Sequence, residues 1–237
     1  MGFDLWCDTH VSLGLPMKTT RREVVLGGLA AVTAGVLPLP ALAKSYFSGT
    51  AVDNGVTYKT TNFDMIDPKW HKQVVKYFSE EPQGTVVIDS LHHMLYLIME
   101  NKTAIRYGIA VGKEGFKWYG RATIDNKVLW PKWIPPKEML ERHPELPPYV
   151  DGGSMKNPLS ARAMYLFNDG SDTGYRIHGT INPESIGKDA SSGCIRMFPE
   201  HVIDLYQRCP IGTAVWVLPH IADSAAKAKA PVDPTLQ

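Results

Sequence analysis

Chemistry in this sequence concentrates in two short stretches, Tyr175-Arg176-Ile177-His178-Gly179-Thr180 and Ala190-Ser191-Ser192-Gly193-Cys194-Ile195-Arg196-Met197. A thiol becomes a strong nucleophile as the thiolate, which needs a base or a cation beside it. His178 stands sixteen residues before Cys194, at the end of an expected strand, so a returning loop would bring imidazole and thiol together. Gly193 removes a side chain next to the sulfur and lets a substrate carbonyl approach the backbone. The N–H groups around Gly193 and Cys194 would then serve as an oxyanion hole. If residues 194–196 are extended, Cys194 and Arg196 share a face. Arg196 would then lower the thiol pKa or grip a substrate carboxylate. Each residue also has a plainer reading. A lone cysteine is most often a small buried hydrophobe, and a lone histidine a satisfied core or surface group. On chemistry alone the pair stays open between catalysis and packing. A zinc site is weaker still, since His178 and Cys194 lack two further ligands at suitable spacing.

The elements that must position these residues read as mainly β. Thr85-Val86-Val87-Ile88-Asp89 and Met94 to Met99 are short apolar runs separated by a polar turn, which predicts a hairpin with His92-His93 in its solvated turn. Asn101-Lys102 turns the chain again into Ala104 to Val111. Gly112, Gly115 and Gly120 punctuate one loop, and Pro131, Pro135 and Pro136 interrupt a second around Trp130 and Trp133. Ala163 to Phe167 is a further strand, closed by Asn168-Asp169-Gly170 and followed by Tyr175 to His178. One helix is clear. Pro199 suits a first turn, with Glu200 at the positive end, and Val202, Leu205, Tyr206 and Cys209 fall on one face. Pro210 and Gly212 stop it, and Ala214 to Leu218 reads as a closing strand. The pattern predicts an antiparallel β domain with a few short helices.

Composition excludes several classes. With 25 basic and 24 acidic residues among 237, the formal charge is +1, too little excess for a nucleic-acid binder. Charged residues at 21% and aromatics at 10% do not describe a disordered chain. Three cysteines make no disulfide framework and include no C-x-x-C pair. Val24 to Ala43 carries no charge, follows Lys18, Arg21 and Arg22, and ends in the small-x-small site Ala41-Leu42-Ala43. Residues 1–43 therefore read as a secretory signal peptide, with Arg21-Arg22 as the pair of a twin-arginine signal and Met17 as a cleaner start. Twenty uncharged residues would also suit a membrane anchor, against which Pro38, Pro40 and three glycines weigh. The expected organisation is then an N-terminal arm over 44–84, a main domain over 85–218 and a disordered tail over 219–237. Cys7 leaves with the leader, and Cys209 is expected to be core.

The two stretches also resemble the L,D-transpeptidase (YkuD-like) family of peptidoglycan-modifying enzymes. Its signature of a His-Gly pair followed by [Ser/Thr]-x-Gly-Cys-x-[Asn/Arg] is matched here by His178-Gly179 and Ser191-Ser192-Gly193-Cys194-Ile195-Arg196. Gly152-Gly153, Asn157-Pro158-Leu159, Ala161-Arg162-Ala163, Ser185-Ile186-Gly187 and Pro131-x-Trp133-x-Pro135-Pro136 are similar to the periplasmic branch. The resemblance implies a mainly β, antiparallel β-sandwich fold with a few short helices. It also implies attack by Cys194 on the bond before the terminal D-alanine of a stem tetrapeptide, with a thioester passed to an amine acceptor. His178 would be the base, oriented by a backbone carbonyl near Gly179. Arg196, Gly193, Ser192 and Ser191 would contact substrate. No cofactor and no metal are implied. The partners would be peptidoglycan stem peptides, with carbapenems as inhibitors, no nucleic acid, no membrane span after processing and a monomeric state in the periplasm. Many members carry His where this chain has Ser192, so a role for a second histidine does not transfer. Water as acceptor would make the protein an L,D-carboxypeptidase, and a non-catalytic wall-binding protein is the alternative from another class. A papain-like peptidase has the reverse order of Cys and His.

Overall fold

The computed structural model describes residues 45–113 and 118–219. The leader assigned to 1–43 and nearly all of the tail assigned to 219–237 lie outside the described residues. From Phe47 the chain forms β1 (Phe47–Asp53) and β2 (Val56–Thr61), then β3 (Gln73–Lys76), β4 (Val86–Asp89), β5 (Met94–Ile98), β6 (Thr103–Gly108) and β7 (Val111–Gly112). There follow β8 (Gly120–Leu129), α1 (Lys137–Arg142), β9 (Arg162–Asn168), β10 (Ser171–Gly179), β11 (Asp189–Ser191), β12 (Ile195–Met197), α2 (Pro199–Arg208) and β13 (Thr213–Val217). The chain is mainly β.

Nine strands join in one sheet, in the order β12-β10-β9-β8-β13-β4-β5-β6-β3. Six of its eight pairings are antiparallel, and two are parallel: β10 with β12 and β4 with β13. The parallel pairs were not expected from the sequence. A parallel partner must be entered at the end opposite to the one the chain last left. Residues 180–194 make that crossover between β10 and β12, whereas β4 and β13 are far apart in the chain and meet only in the folded sheet. Strand β5 and residues 86–88 of β4 are apolar and buried throughout because both their faces are covered. Val86, Ile88, Leu95 and Leu97 belong to the larger core, which also takes in Ile177, Ile195, Met197 and, from α2, Val202, Leu205 and the following Cys209. Val87, Met94, Tyr96 and Ile98 pack on the opposite face with Val75 and Tyr77.

The segment 44–84, expected as an N-terminal arm, carries three strands. Its hairpin turns at Asn54 (φ +47°) and Gly55 (φ +78°), the left-handed pair that a two-residue turn requires. Asp53 accepts from the buried Arg162 guanidinium (2.9 Å to Oδ1) and from Trp130 Nε1 (3.1 Å). Glu200, in the first turn of α2, accepts from Thr61 N and Oγ1 at 2.7 and 2.9 Å. A buried guanidinium without a carboxylate partner is strongly unfavourable, so this contact anchors the hairpin to β9. Residues 112–136, expected to be loops, contain the ten-residue β8, which lies between β9 and β13 in the sheet. Only Ala122 and Ile124 of β8 are buried, and its pairing slips between Ile124 and Asn126, so the strand lacks a clean alternation.

Candidate active site

The site is built by the parallel pair β10–β12. Ile177 lies level with Ile195, His178 with Arg196 and Gly179 with Met197. Level neighbours share a face and successive residues alternate, so Ile177, Ile195 and Met197 enter the core while His178 and Arg196 point the other way. Cys194, two residues before Arg196, falls on that outer face, as does Arg176, two residues before His178. Thiol, imidazole and two guanidiniums therefore converge on one surface. The fourth member, Arg176, was not singled out by the sequence reading. The signal was present in the period-2 spacing of Arg176 and His178, but the parallel register that makes it meaningful is not readable from one strand.

The loop carrying Cys194 is held from both sides. Ala110 and Arg196 exchange backbone hydrogen bonds of 2.9 Å in each direction. β11 pairs with β7, and Lys113 N donates to Ser191 O at 3.0 Å. Ser191 Oγ donates to Cys194 O at 2.5 Å and accepts from Gly193 N at 3.1 Å. This hydroxyl thus closes the turn at Gly193, whose φ of +118° would strain any other residue. The arrangement corrects one expectation. Gly193 N–H donates to Ser191 Oγ and is not free to serve as one of the two expected oxyanion donors. Ser191 is buried as a loop brace, whereas Ser192 is exposed.

His178 is 5% exposed, and its Nδ1 donates to Gly179 O at 2.5 Å. That bond fixes the tautomer and leaves Nε2 with its lone pair. Burial drives the imidazole pKa down to about 4; the Gly179 carbonyl opposes this, and the charges of Arg196 and Arg176 add to it. The ring is therefore neutral at pH 7. Gly179 itself sits against the chain, since a Cβ there would lie 2.9 Å from Ser160 Cβ and 3.1 Å from Leu159 O. A larger residue would displace the carbonyl that orients the imidazole.

Cys194 is half-buried and free. Burial raises its thiol pKa, opposed by a backbone hydrogen bond from Arg176 and by the charges of Arg176 and Arg196. At pH 7 the thiol and the imidazole are thus both neutral. Trp118 stacks on Tyr175 at 5.6 Å beside the site, and the Cys194 charge adds to the burial that raises the Tyr175 phenol. Trp130 donates to Asp53 of the N-terminal hairpin, and Trp133 pairs through its backbone with Val150. Among the described residues no three His, Cys, Asp or Glu side chains gather as they would around a metal ion.

Residues 83–217 match the YkuD family model, described as the L,D-transpeptidase catalytic domain. The chain belongs to that family. A "Putative L,D-transpeptidase in ATP synthase subunits region ORF 5" from Fuscovulum blasticum is 29% identical over 84% of this chain and 97% of its own length. A "Putative L,D-transpeptidase YqjB" from Bacillus subtilis (strain 168) is 32% identical over 65% of this chain and 81% of its own. A crystal structure of a "Probable carnitine operon oxidoreductase caia" from Brucella melitensis is 51% identical over 64% of this chain and 96% of that one, with a TM-score of 0.44. The family match, rather than that last name, identifies the domain that holds Cys194 in this L,D-transpeptidase family member. Among the described residues no helix is long and apolar enough to cross a membrane.

Proposed function

We propose that this chain is a peptidoglycan L,D-transpeptidase with Cys194 as nucleophile and His178 as general acid–base. Cys194 Sγ attacks the carbonyl carbon between the third residue of a stem tetrapeptide and its terminal D-alanine, and its proton passes to His178 Nε2. Collapse of the tetrahedral intermediate breaks the C–N bond, and His178 returns the proton to the leaving amine. A thioester remains. An acceptor amine from a second stem attacks it while His178 takes the amine proton and then restores the thiol. The oxyanion is assigned to Cys194 N–H, with Arg196 at the end of the site where D-alanine leaves. Gly179, through its carbonyl, is a positioning residue, and Ser191, Gly193 and Ser192 shape the loop against which substrate lies.

The observation that carries the reading is the convergence of Cys194 and His178 on one face, with the imidazole already held in the tautomer a base needs. A purely wall-binding protein has no use for that arrangement. The rest of the proposal follows the sequence. The leader over 1–43 would export the chain by the twin-arginine route to the periplasm, where it would act in cell-wall biogenesis and cell shape. A carbapenem would mimic the donor carbonyl and acylate Cys194.

The test is incubation of the protein with disaccharide tetrapeptide, following cross-linked dimer, tripeptide and free D-alanine by mass spectrometry. Dimer with D-alanine release supports transpeptidation, and tripeptide without dimer assigns water as acceptor. If neither product forms, and a carbapenem leaves no adduct on Cys194, the acyl-transfer reading fails.

A further inference from the structure

Two guanidiniums, not one, flank the sulfur. Arg196 lies level with His178, whereas Arg176, two residues before His178 on β10, hydrogen-bonds the Cys194 thiol through its backbone and acts on it with its charge. The Arg176 guanidinium stacks over the Tyr165 ring at 4.7 Å and holds the Asp172 carboxylate with both terminal nitrogens, at 3.1 and 2.7 Å. Its fork is thus oriented for a carboxylate beside the thiol. Asp172 itself lies close enough for its charge to act on Cys194. Both partners are solvent-accessible, with side chains 24% and 42% exposed, so a second carboxylate can exchange with Asp172 at little cost.

The direction of the substrate follows from the proton path. His178 must reach the departing amine, so the D-alanine side of the scissile bond lies toward His178 and Arg196. The acyl side then runs the other way, past Arg176. We propose that Arg176 is a specificity-determining residue that pairs with a carboxylate on the side chain of the donor's third residue, so that the site selects a diaminopimelyl stem over a lysyl one. This rests on the acyl-transfer reading above. Asp172 holds the guanidinium in place and yields it to the substrate, with no bond made or broken in the exchange.

The test uses three tetrapeptide donors that differ only at the third residue: diaminopimelate, its side-chain carboxamide and lysine. D-alanine release is followed for the full chain and its variants. The wild type is expected to prefer the acid to the carboxamide at least tenfold in kcat/KM, chiefly through KM. Arg176→Gln should bring that ratio within twofold of one, and Arg176→Lys should keep part of it. Because the ratio is taken within each variant, any change in thiol reactivity or folded fraction cancels. Asp172→Asn, which removes the competing charge, should lower KM for the acid donor severalfold and leave KM for the lysyl donor unchanged. A wild type without preference, a preference that survives Arg176→Gln, or an Asp172→Asn variant with unaltered KM overturns the proposal. A wild type that releases D-alanine from none of the three overturns the acyl-transfer reading beneath it, a different result from turnover without preference.

Discussion

The two faces behind and before β10 each hold a free cysteine and a buried histidine, and chemistry is proposed for only one of them. Cys209 ends α2 at 1% exposure, and burial pushes its thiol up to about 12. Cys194 is raised by burial too, but it borders solvent, takes a hydrogen bond from the Arg176 backbone and feels two guanidiniums. His201 on α2 is stacked on Phe63 and edged by Phe198 and Tyr107 at 5.1 to 5.7 Å, and its Nδ1 has no hydrogen-bond partner. His178 is equally buried yet has the Gly179 carbonyl to fix its ring. Burial alone silences a thiol or an imidazole; a backbone partner and nearby fixed charge make the same group usable.

The largest break in this comparison is covalent. Incubation with a carbapenem is expected to add one adduct mass to the wild type and to Cys209→Ala, and none to Cys194→Ala. Intact-mass spectrometry reads the result directly, and an adduct retained by Cys194→Ala would remove the distinction between the two thiols. Next in size is the base. His178→Gln should lower the rate of D-alanine release by about 10²–10⁴-fold, the usual worth of a positioned general base. His201→Phe, which keeps the ring volume within its aromatic surroundings, should leave that rate within twofold. Steady-state kinetics at saturating donor separates these outcomes, and equal losses in both variants would mean that neither histidine acts as a base.

A smaller effect sharpens the role of Gly179. Gly179→Ala brings a methyl against Ser160 and the Leu159 carbonyl, so strand β10 must shift at the residue whose carbonyl holds His178. The expected cost is about 1–3 kcal/mol of stability, with a fall in turnover beyond what the unfolded fraction explains. Denaturant unfolding and kinetics on the same sample compare the two. Turnover that falls only in step with unfolding would deny the carbonyl its positioning role.

What was legible in the sequence divides along the same physical line. β4, β5, β6, β9, β13 and α2 announce themselves because their apolar residues are continuous or fall on one helical face, bounded by turn residues. The Cys194 and His178 stretches were legible because their residue types are chemically unusual together. β8 was not, since Ala122 and Ile124 are its only buried residues and the bulge at Asp125 breaks its period. The hairpin over Phe47 to Thr61 did carry a signal, the Asn54-Gly55 pair, but its strands are too polar to suggest a core contact. Its anchoring depends on Asp53 meeting Arg162, 109 residues away, a pairing no local pattern contains. The same holds for the site. Arg176 gains meaning only from the parallel register of β12, and the Gly193 N–H loses its expected role to a hydroxyl two residues earlier.

The last distinction between the faces is in pH. Both histidines have folded pKa values below the ordinary 6.5, about 4 for His178 and about 3 for His201, with burial as the first cause in each. Below pH 6.5 the unfolded chain takes up protons on these residues while the folded chain does not. Stability therefore falls as pH drops from 6.5, and continues to fall until each folded value is reached. Between pH 7 and pH 5 each histidine should cost on the order of 2 kcal/mol. His201→Phe abolishes one of these two contributions and so should flatten the slope by about half, measured by denaturant unfolding across that range. The catalytic consequence is separate. Because only His178 is proposed as the base, the acid limb of the rate should lie near pH 4 rather than 6.5 in both the wild type and His201→Phe. An acid limb near 6.5 would mean that the imidazole is far better solvated in the working enzyme, and a slope unchanged by His201→Phe would mean that α2 opens to water before the rest of the fold.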